Sequence, residues 1–178
     1  MVSRNEMDPP AHTLALVSGL AVYEALLPYC PNPSQLMLKW PNDVLLSKAK
    51  LCGILLEGAR NYIVIGIGVN LAQAPKIEGR ETIALAEVAK QPSPEEFADR
   101  LVSSFDAELE RWRSFGLGPL LRRWSAAAHP IGTPLRVHDS DGSEIAGEFG
   151  GLSDEGSLML RLANGETRAI HAGDVMLD

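Results

Sequence analysis

The residues best suited to chemistry lie in one short string, Leu38-Lys39-Trp40-Pro41-Asn42-Asp43-Val44. A lysine flanked by apolar residues at the end of a predicted core strand is costly unless its ammonium group has a partner, and the turn that follows supplies an amide and a carboxylate. Two interpretations stay open at this point. Lys39 is either a surface lysine beside a tryptophan that packs in the core, with Asn42-Asp43 as an ordinary turn, or a fixed cation that Asp43 orients toward an anionic ligand.

Glycines inside two predicted strands favour the second interpretation. Leu51–Glu57 contains Gly53, and Ile65–Asn70 contains Gly66 and Gly68. Glycine weakens a strand and often marks the close approach of a ligand or of another backbone. Three such glycines on neighbouring strands therefore predict a ligand-binding surface near Lys39.

Other common sites are not supported by the sequence. It has no HExxH, CxxC or GxSxG motif, and the Gly-x-Gly of the second strand has Leu71 where a dinucleotide-binding motif needs its third glycine. The stretch Gly151–Ser157 has the glycine spacing of a P-loop without its lysine, and a hairpin turn explains it better. Cys30 and Cys52 are too few for a disulfide framework or a four-ligand zinc site, and we interpret them as buried thiols.

The rest of the chain predicts the elements that position these residues. Asp8-Pro9-Pro10 predicts a helix entry, with a carboxylate cap before the prolines of the first turn, and Pro28 ends that helix. A capping box at Ser93–Glu96 predicts a second, amphipathic helix, which Gly116 ends. Strands are expected at Leu36–Trp40, Val44–Leu46, Leu51–Glu57 and Tyr62–Leu71, a loop and a short helix over Gly79–Ala89, and a further helix from Pro119 to Ala127.

After His129-Pro130 the pattern is that of β structure throughout. Short runs with alternating apolar residues are separated by hairpin signals. These signals are Asp139–Gly142, Ser153–Gly156 and Asn164-Gly165. Such a segment predicts a small barrel or an SH3-like module.

Composition limits the classes of partner. The 178 residues include 16 lysines and arginines against 23 aspartates and glutamates, a formal charge of −7. Nucleic-acid and membrane-surface binders rely on cationic patches, so we expect neither kind of partner. The apolar stretch near Thr13–Leu27 is too short and too interrupted to span a bilayer comfortably, and the charged start is not that of a signal peptide. We expect a cytoplasmic protein.

Three motifs in this order, KWPND, KLCGILLEG and IGIGVN, resemble the catalytic domain of biotin protein ligases. The segments Gly147–Gly151, Glu155–Leu158 and Ala172–Asp174 resemble the small SH3-like domain of that family. The resemblance implies an α+β fold: a mixed sheet with packed helices, of the class II synthetase-like biotin/lipoate ligase type, followed by a small SH3-like β-barrel. It implies a catalytic domain over residues 1–128 and a C-terminal β domain over residues 129–178.

The resemblance also implies an activity and its participants. Members of the family activate biotin with ATP and Mg²⁺ to biotinyl-adenylate, and then transfer biotin to one lysine of an apo biotin carboxyl carrier domain of a carboxylase. Lys39 stands in the place of the essential lysine, which contacts the biotin carboxylate and the α-phosphate. The other implied site residues are Gly53, Ile54, Leu55 and Gly68 for biotin, Asn42, Asp43 and Asn70 for the nucleotide, and Asp43 also for Mg²⁺; Thr82 and Ile83 fall in the segment that covers adenine.

The sequence departs from the family pattern in one respect. The family carries a Gly/Arg-rich loop of GRGRxGR type ahead of the helix that begins near Pro9, and the 178 residues do not contain it. We therefore expect a truncated catalytic domain with impaired activity and an exposed sheet edge that favours aggregation or pairing into a homodimer. A non-catalytic relative that keeps the fold, and a relative acting on lipoate, stay open as alternatives.

Overall fold

The computed structural model describes residues 1–138 and 144–177. Its first part holds a five-stranded sheet in the order β1-β5-β4-β3-β2, in which every neighbouring pair is antiparallel. Parallel pairing occurs among the described residues only at two isolated bridges, Leu38 with Ala128 and Lys50 with Thr82. The strands are β1 (Val2–Ser3), β2 (Leu36–Lys39), β3 (Asp43–Leu46), β4 (Ala49–Ala59) and β5 (Tyr62–Val69).

The connection between β3 and β4 is tighter than the sequence predicts. Strand β4 begins at Ala49, so the expected four-residue connection shrinks to Ser47-Lys48. Both residues have positive φ, 52° and 72°. Two successive residues in that region form the tight hairpin turn whose twist matches the strands.

The pairing register places four predicted site positions in one row across the sheet. Lys39 pairs with Asp43, Asp43 with Gly53, and Gly53 with Gly68. Residues directly opposite each other in an antiparallel pair point to the same face, so this row lies on a single face of the sheet. The other face packs on the helices, with the side chains of Ile63, Ile65, Ile67 and Val69 from β5.

The helices of the first part are α1 (Leu14–Leu26), α2 (Pro94–Phe115) and α3 (Leu117–Ala127). Helix α1 packs on β2, β3 and β4, α3 contacts β2, and α2 packs on α1 and α3. The predicted cap of α2 is confirmed, because the Ser93 hydroxyl accepts the Glu96 N–H at 3.1 Å. The predicted cap of the first helix is wrong. The residue before α1 is Thr13, at the end of a 3-10 turn (Ala11–Thr13), and Asp8 instead pairs with Arg113, with Oδ1 3.0 Å from Nε.

Helix α1 is the core helix of the first part. Val17, Ala21 and Val22 are fully buried, and Ser18 is equally buried because its hydroxyl donates to the Leu14 carbonyl at 2.7 Å. By length and composition alone the segment Ala11–Tyr29 is apolar enough to cross a membrane, but 61% of it is buried inside the protein. That burial is what the packing of a helix between a sheet and its neighbours produces.

A second antiparallel sheet follows α3, in the order β10-β6-β7-β8-β9. The turns at Ser153–Gly156 and Asn164-Gly165 are confirmed, with φ of +84° at Gly156 and +85° at Gly165. The third predicted turn, Asp139–Gly142, lies outside the described residues. The strands are β6 (Pro134–His138), β7 (Glu144–Leu152), β8 (Leu158–Arg161), β9 (Thr167–Ile170) and β10 (Asp174–Leu177). The domain boundary at residues 128 and 129 stays a prediction.

The two sheets meet beside the string that carries Lys39. The Trp40 indole N–H donates to the Gly156 carbonyl at 3.1 Å, and Trp40 is only 5% exposed. The side chain that follows Lys39 therefore anchors the second sheet to the first. At the opposite end of the first sheet, the face of the site row carries exposed apolar side chains, namely Leu55, Tyr62 and Val64.

Candidate functional site

The centre of the site is a carboxylate held between two ammonium groups. Lys39 Nζ lies 3.4 Å from Asp43 Oδ2, and Lys50 Nζ lies 2.5 Å from Asp43 Oδ1. The side chain of Asp43 is 5% exposed, that of Lys39 is 13% exposed, and that of Lys50 is 26% exposed. Two cations around one anion leave the cluster with a net positive charge in a place largely shielded from water, where an anionic ligand is bound more strongly than at an open surface.

This geometry disagrees with the interpretation of Lys39 as a surface lysine beside an ordinary turn. A surface lysine beside an ordinary turn would be solvated, whereas Lys39 is largely buried and has the partner that its position requires. The turn is also tied to the next strand. The Asn42 side-chain amide donates to the Ile54 carbonyl at 2.7 Å, and the Ile54 N–H donates to the Asn42 carbonyl at 2.9 Å. Asp43 is thereby fixed in place before any ligand arrives.

Sequence reasoning missed Lys50, which it placed in the connection between two strands. Its side chain crosses the sheet face above Gly53. A Cβ on Gly53 would lie 3.0 Å from Lys50 Cε and 3.1 Å from Nζ, which is tighter than ordinary van der Waals contact. The glycine at position 53 therefore makes room for Lys50, an arrangement that regular strand alternation does not predict.

A cavity of about 320 Å³ opens beside the cluster. Four of the residues that line it are basic, against two acidic ones. Arg80 of the loop before α2 pairs with Asp174 of the second sheet, so the far wall of the cavity joins the two sheets. The lining residues are Lys39, Asp43, Leu45, Lys48, Lys50, Gly79, Arg80, Glu81, Met176 and Leu177.

The glycines of β5 leave the sheet face open on the other side of the cluster. A Cβ on Gly68 would meet only the Gly53 carbonyl oxygen, at 3.9 Å, and one on Gly66 would meet Leu55 at a similar distance. The chain itself therefore does not require glycine at these positions. Leu55 lies on the same face and is 60% exposed. Together these residues form a flat, open, mostly apolar surface next to two lysines.

Two predicted site residues are committed to other contacts. The Ile54 side chain points to the opposite face and is buried in the core, 3% exposed, so this residue faces the site only through its backbone. The Asn70 amide donates to the carbonyls of Lys50 and Ile83, at 3.3 Å and 3.2 Å. Asn70 thus holds the strand that carries Lys50 against the loop that follows β5.

Two buried groups near the cluster are neutral. Burial and the positive charge of Lys39 lower the pKa of His129 to about 4, and its Nε2 atom has no hydrogen-bond partner among the described residues. Burial raises the pKa of the Cys52 thiol to about 12, so this cysteine is an inert packed residue at neutral pH. Cys30 is also free and buried, as expected.

The donor set does not fit a protein-held Mg²⁺ at Asp43. Both carboxylate oxygens face ammonium groups, which repel a further cation. Residues 1–138 and 144–177 include no group of three histidine, cysteine or acidic side chains that could hold a metal ion. Mg²⁺ commonly enters such sites through one or two carboxylates together with substrate phosphates, and this cluster offers its lysines to an anion instead.

Two family models match the antiparallel sheet that carries this row and the β module that follows it. Residues 2–70 match the biotin/lipoate A/B protein ligase family, and residues 131–178 match the biotin protein ligase C terminal domain. The biotin–[acetyl-CoA-carboxylase] ligase of Paracoccus denitrificans is 37% identical over 85% of this chain and 67% of its own length. The ligase of that name from Mycobacterium tuberculosis is 34% identical over 92% of this chain and 61% of its own length.

The chain belongs to the biotin protein ligase family. It spans 67% and 61% of the lengths of the two curated relatives just described. A solved structure of the biotin protein ligase from Aquifex aeolicus in complex with biotin and ATP superposes with a TM-score of 0.84, at 23% identity, over 97% of this chain and 75% of that one. This likeness establishes the fold, and it confirms the α+β class that the sequence predicts.

Proposed function

We propose that the chain carries the ATP-dependent biotin protein ligase activity of its family. In the first step a carboxylate oxygen of biotin attacks the α-phosphorus of ATP, the bond to the β-phosphate breaks, and biotinyl-adenylate and pyrophosphate form. In the second step a neutral lysine amine of an apo biotin carboxyl carrier domain attacks the acyl carbon, AMP leaves with the electrons of the broken bond, and the amine loses a proton. The row Lys39-Asp43-Gly53-Gly68 is the observation that carries this proposal.

Lys39 supplies the fixed cation for the first step. Two anions, the biotin carboxylate and the α-phosphate, must come together, and an ammonium group at that point offsets their repulsion. Because Lys39 is 13% exposed and held by Asp43, its charge is preorganised and little screened by water. Losing one fixed group of this kind typically costs about 3–4 kcal/mol of transition-state stabilisation.

The surroundings of Lys39 support the division of the site into two sides. The open glycine face with Leu55 suits the apolar sulfur-containing ring and aliphatic chain of biotin, because a Cβ at Gly68 would occupy that surface. The cavity with four basic side chains suits the phosphates of ATP. Mg²⁺ would be held by the nucleotide phosphates and would neutralise part of their charge. Asn42 and Asn70 act by holding the backbone around the cavity.

The 178 residues contain no GRGRxGR motif, and we propose that their isolated activity is impaired for that reason. Without such a loop the glycine face stays open to water, which weakens the hold on biotin and on the adenylate. The carrier domain of a carboxylase is the proposed acceptor, as the names of the curated relatives indicate for those proteins. Pairing of two copies through the exposed side chains of β4 and β5 and a cytoplasmic site of action stay proposals.

The direct test is incubation of the chain with biotin, Mg-ATP and an apo carrier domain, followed by mass measurement of the intact carrier. The expected result is a slow biotin adduct that disappears in Lys39→Ala and persists in Lys90→Ala, since Lys90 is exposed and lies outside the cavity. Biotin binding without any adduct would point to a non-catalytic relative. An adduct with lipoate in place of biotin would point to the lipoate branch. An adduct of equal yield in Lys39→Ala would refute the proposed role of Lys39.

A further inference from the structure

A β-bulge turns Lys50 out of the core and into the site. Along β4, Cys52 pairs with Val44 and Lys50 pairs with Leu45, so Leu51 is an extra residue with no partner on β3. Regular alternation would place Lys50 on the buried face with Cys52 and Ile54. The extra residue reverses that alternation, and bulges often re-aim a side chain in this way beside functional sites. Leu51 and Cys52 are consequently both buried, although they are consecutive.

The backbone of Lys50 is held from three sides. Its N–H donates to the Glu81 carbonyl at 2.9 Å, and its carbonyl accepts the Ile83 N–H at 3.1 Å and the Asn70 amide at 3.3 Å. Gly53 then clears the path of its side chain toward Asp43. A lysine at a flexible surface position would need none of these features, so Lys50 is built into the site as firmly as Lys39.

The ammonium groups of Lys39 and Lys50 share a single carboxylate, so one positive charge is left without a counterion in the cluster. Asp43 has one oxygen for each lysine, and it neutralises only one of the two charges. On the side of Lys50, where the β3–β4 hairpin and the loop before α2 meet, Lys48 adds a third ammonium group and Glu81 a second carboxylate, while Arg80 is already paired with Asp174. The lining lysines still outnumber the lining carboxylates by three to two. The cluster therefore has room and unbalanced positive charge for a polyvalent anion on that side.

We propose that Lys50 is a second substrate-contacting cation, which binds the pyrophosphate portion of the nucleotide while Lys39 serves the α-phosphate and the carboxylate. This inference rests on the proposed ligase function and assigns a subsite within it. During adenylation the β-phosphate leaves with an additional negative charge, and an ammonium group at that position stabilises the leaving group. Asp43 acts between the two lysines as the group that keeps both ammonium ions in place.

Binding of inorganic pyrophosphate, measured by isothermal titration calorimetry, tests the subsite without turnover. We compare the wild-type chain with Lys50→Met, with Lys50→Arg, which keeps the charge, and with Lys90→Met as a matched control. The expected result is at least a tenfold weaker binding of pyrophosphate to Lys50→Met, binding by Lys50→Arg within about threefold of wild type, and an unchanged Lys90→Met. Biotin binding by Lys50→Met is expected to stay within about twofold.

Two outcomes would overturn the inference: wild-type chain that does not bind pyrophosphate, or Lys50→Met that binds it as well as wild type. Thermal melts monitored by circular dichroism identify a variant that fails to fold, and Lys50→Gln then replaces Lys50→Met. The result is independent of the proposed function, because pyrophosphate binding needs neither biotin nor a carrier. Failure of biotin transfer with intact, Lys50-dependent pyrophosphate binding would refute the ligase activity and leave the subsite standing.

Discussion

Replacing Asp43 by asparagine tests the electrostatic core of the site. Asparagine has nearly the same shape, so the change removes the charge and leaves the packing. The attraction between Lys39 Nζ and Asp43 Oδ2 at 3.4 Å is about 5 kcal/mol at an effective dielectric constant of 20. Most of this is offset by the desolvation of the charges, and the two lysines, 13% and 26% exposed, can turn toward water when the carboxylate is lost.

We therefore expect Asp43→Asn to lower the free energy of unfolding by about 1–3 kcal/mol, which is roughly 3–10 °C in melting temperature for a chain of this size. The assay is urea unfolding followed by circular dichroism, with Asp106→Asn on the exposed face of α2 as the control. The decisive comparison is the double variant with Lys39→Met. Because one of the two ammonium groups that the change leaves unpaired is then absent, and only Lys50 remains, Asp43→Asn should cost less in that background than in the wild-type chain. Equal costs in both backgrounds would refute the coupling between Lys39 and Asp43.

Three further predictions concern the buried His129, the open Gly68 and the turn glycines Gly156 and Gly165. Because the pKa of His129 is lowered from 6.5 to about 4, the unfolded chain takes up a proton on this residue before the folded chain does. The free energy of unfolding should therefore fall by roughly 1–3 kcal/mol as the pH drops from about 6.5 to about 4. In pH-dependent melts His129→Gln should show less loss of stability over this range, and an unchanged pH dependence would contradict the role of His129. Gly68→Val should change the melting temperature by no more than about 2 °C, because the chain leaves space for a side chain there. The same variant should bind biotin at least tenfold more weakly in calorimetry. Unchanged affinity would show that this face of the sheet does not bind biotin. Gly156→Ala should lower the free energy of unfolding by about 1–3 kcal/mol, because position 156 has a φ of +84° and the new Cβ would lie 3.0 Å from Leu16 Cδ1. Gly165→Ala has a similar φ of +85° but open space around it, so it should cost only about 1 kcal/mol. Equal losses in chemical unfolding would show that the contact with Leu16 is unimportant.

Local sequence signals predicted most of the elements, because each depends on neighbouring residues. The Ser93 cap and the turns at Gly156 and Gly165 lie where these residue types favour them. The prediction that Asp8 caps the first helix is wrong. An acidic residue followed by prolines has the form of a helix cap, but tertiary pairing with Arg113 claims that carboxylate, and the chain makes a 3-10 turn before α1 begins.

The site was predicted in part, since its row of residues follows from strand alternation and its second lysine does not. Lys39, Asp43, Gly53 and Gly68 come together because antiparallel pairing aligns them. Lys50 could not be placed in this way, because a bulge at Leu51 changes the face on which it lies. A sequence pattern with a period of two residues gives no sign of one extra residue when both positions beside it are apolar and buried.

The formation of biotinyl-adenylate by Lys39→Met, compared with the wild-type chain at saturating biotin and Mg-ATP, tests the central claim most directly. A single-turnover assay that separates the adenylate by chromatography gives the rate of the chemical step without the carrier domain. If Lys39 is the preorganised cation for the two reacting anions, the rate should fall about 100-fold to 1,000-fold while the melting temperature changes by only a few degrees. A Lys39→Met chain that forms the adenylate within about threefold of the wild-type rate would contradict the account.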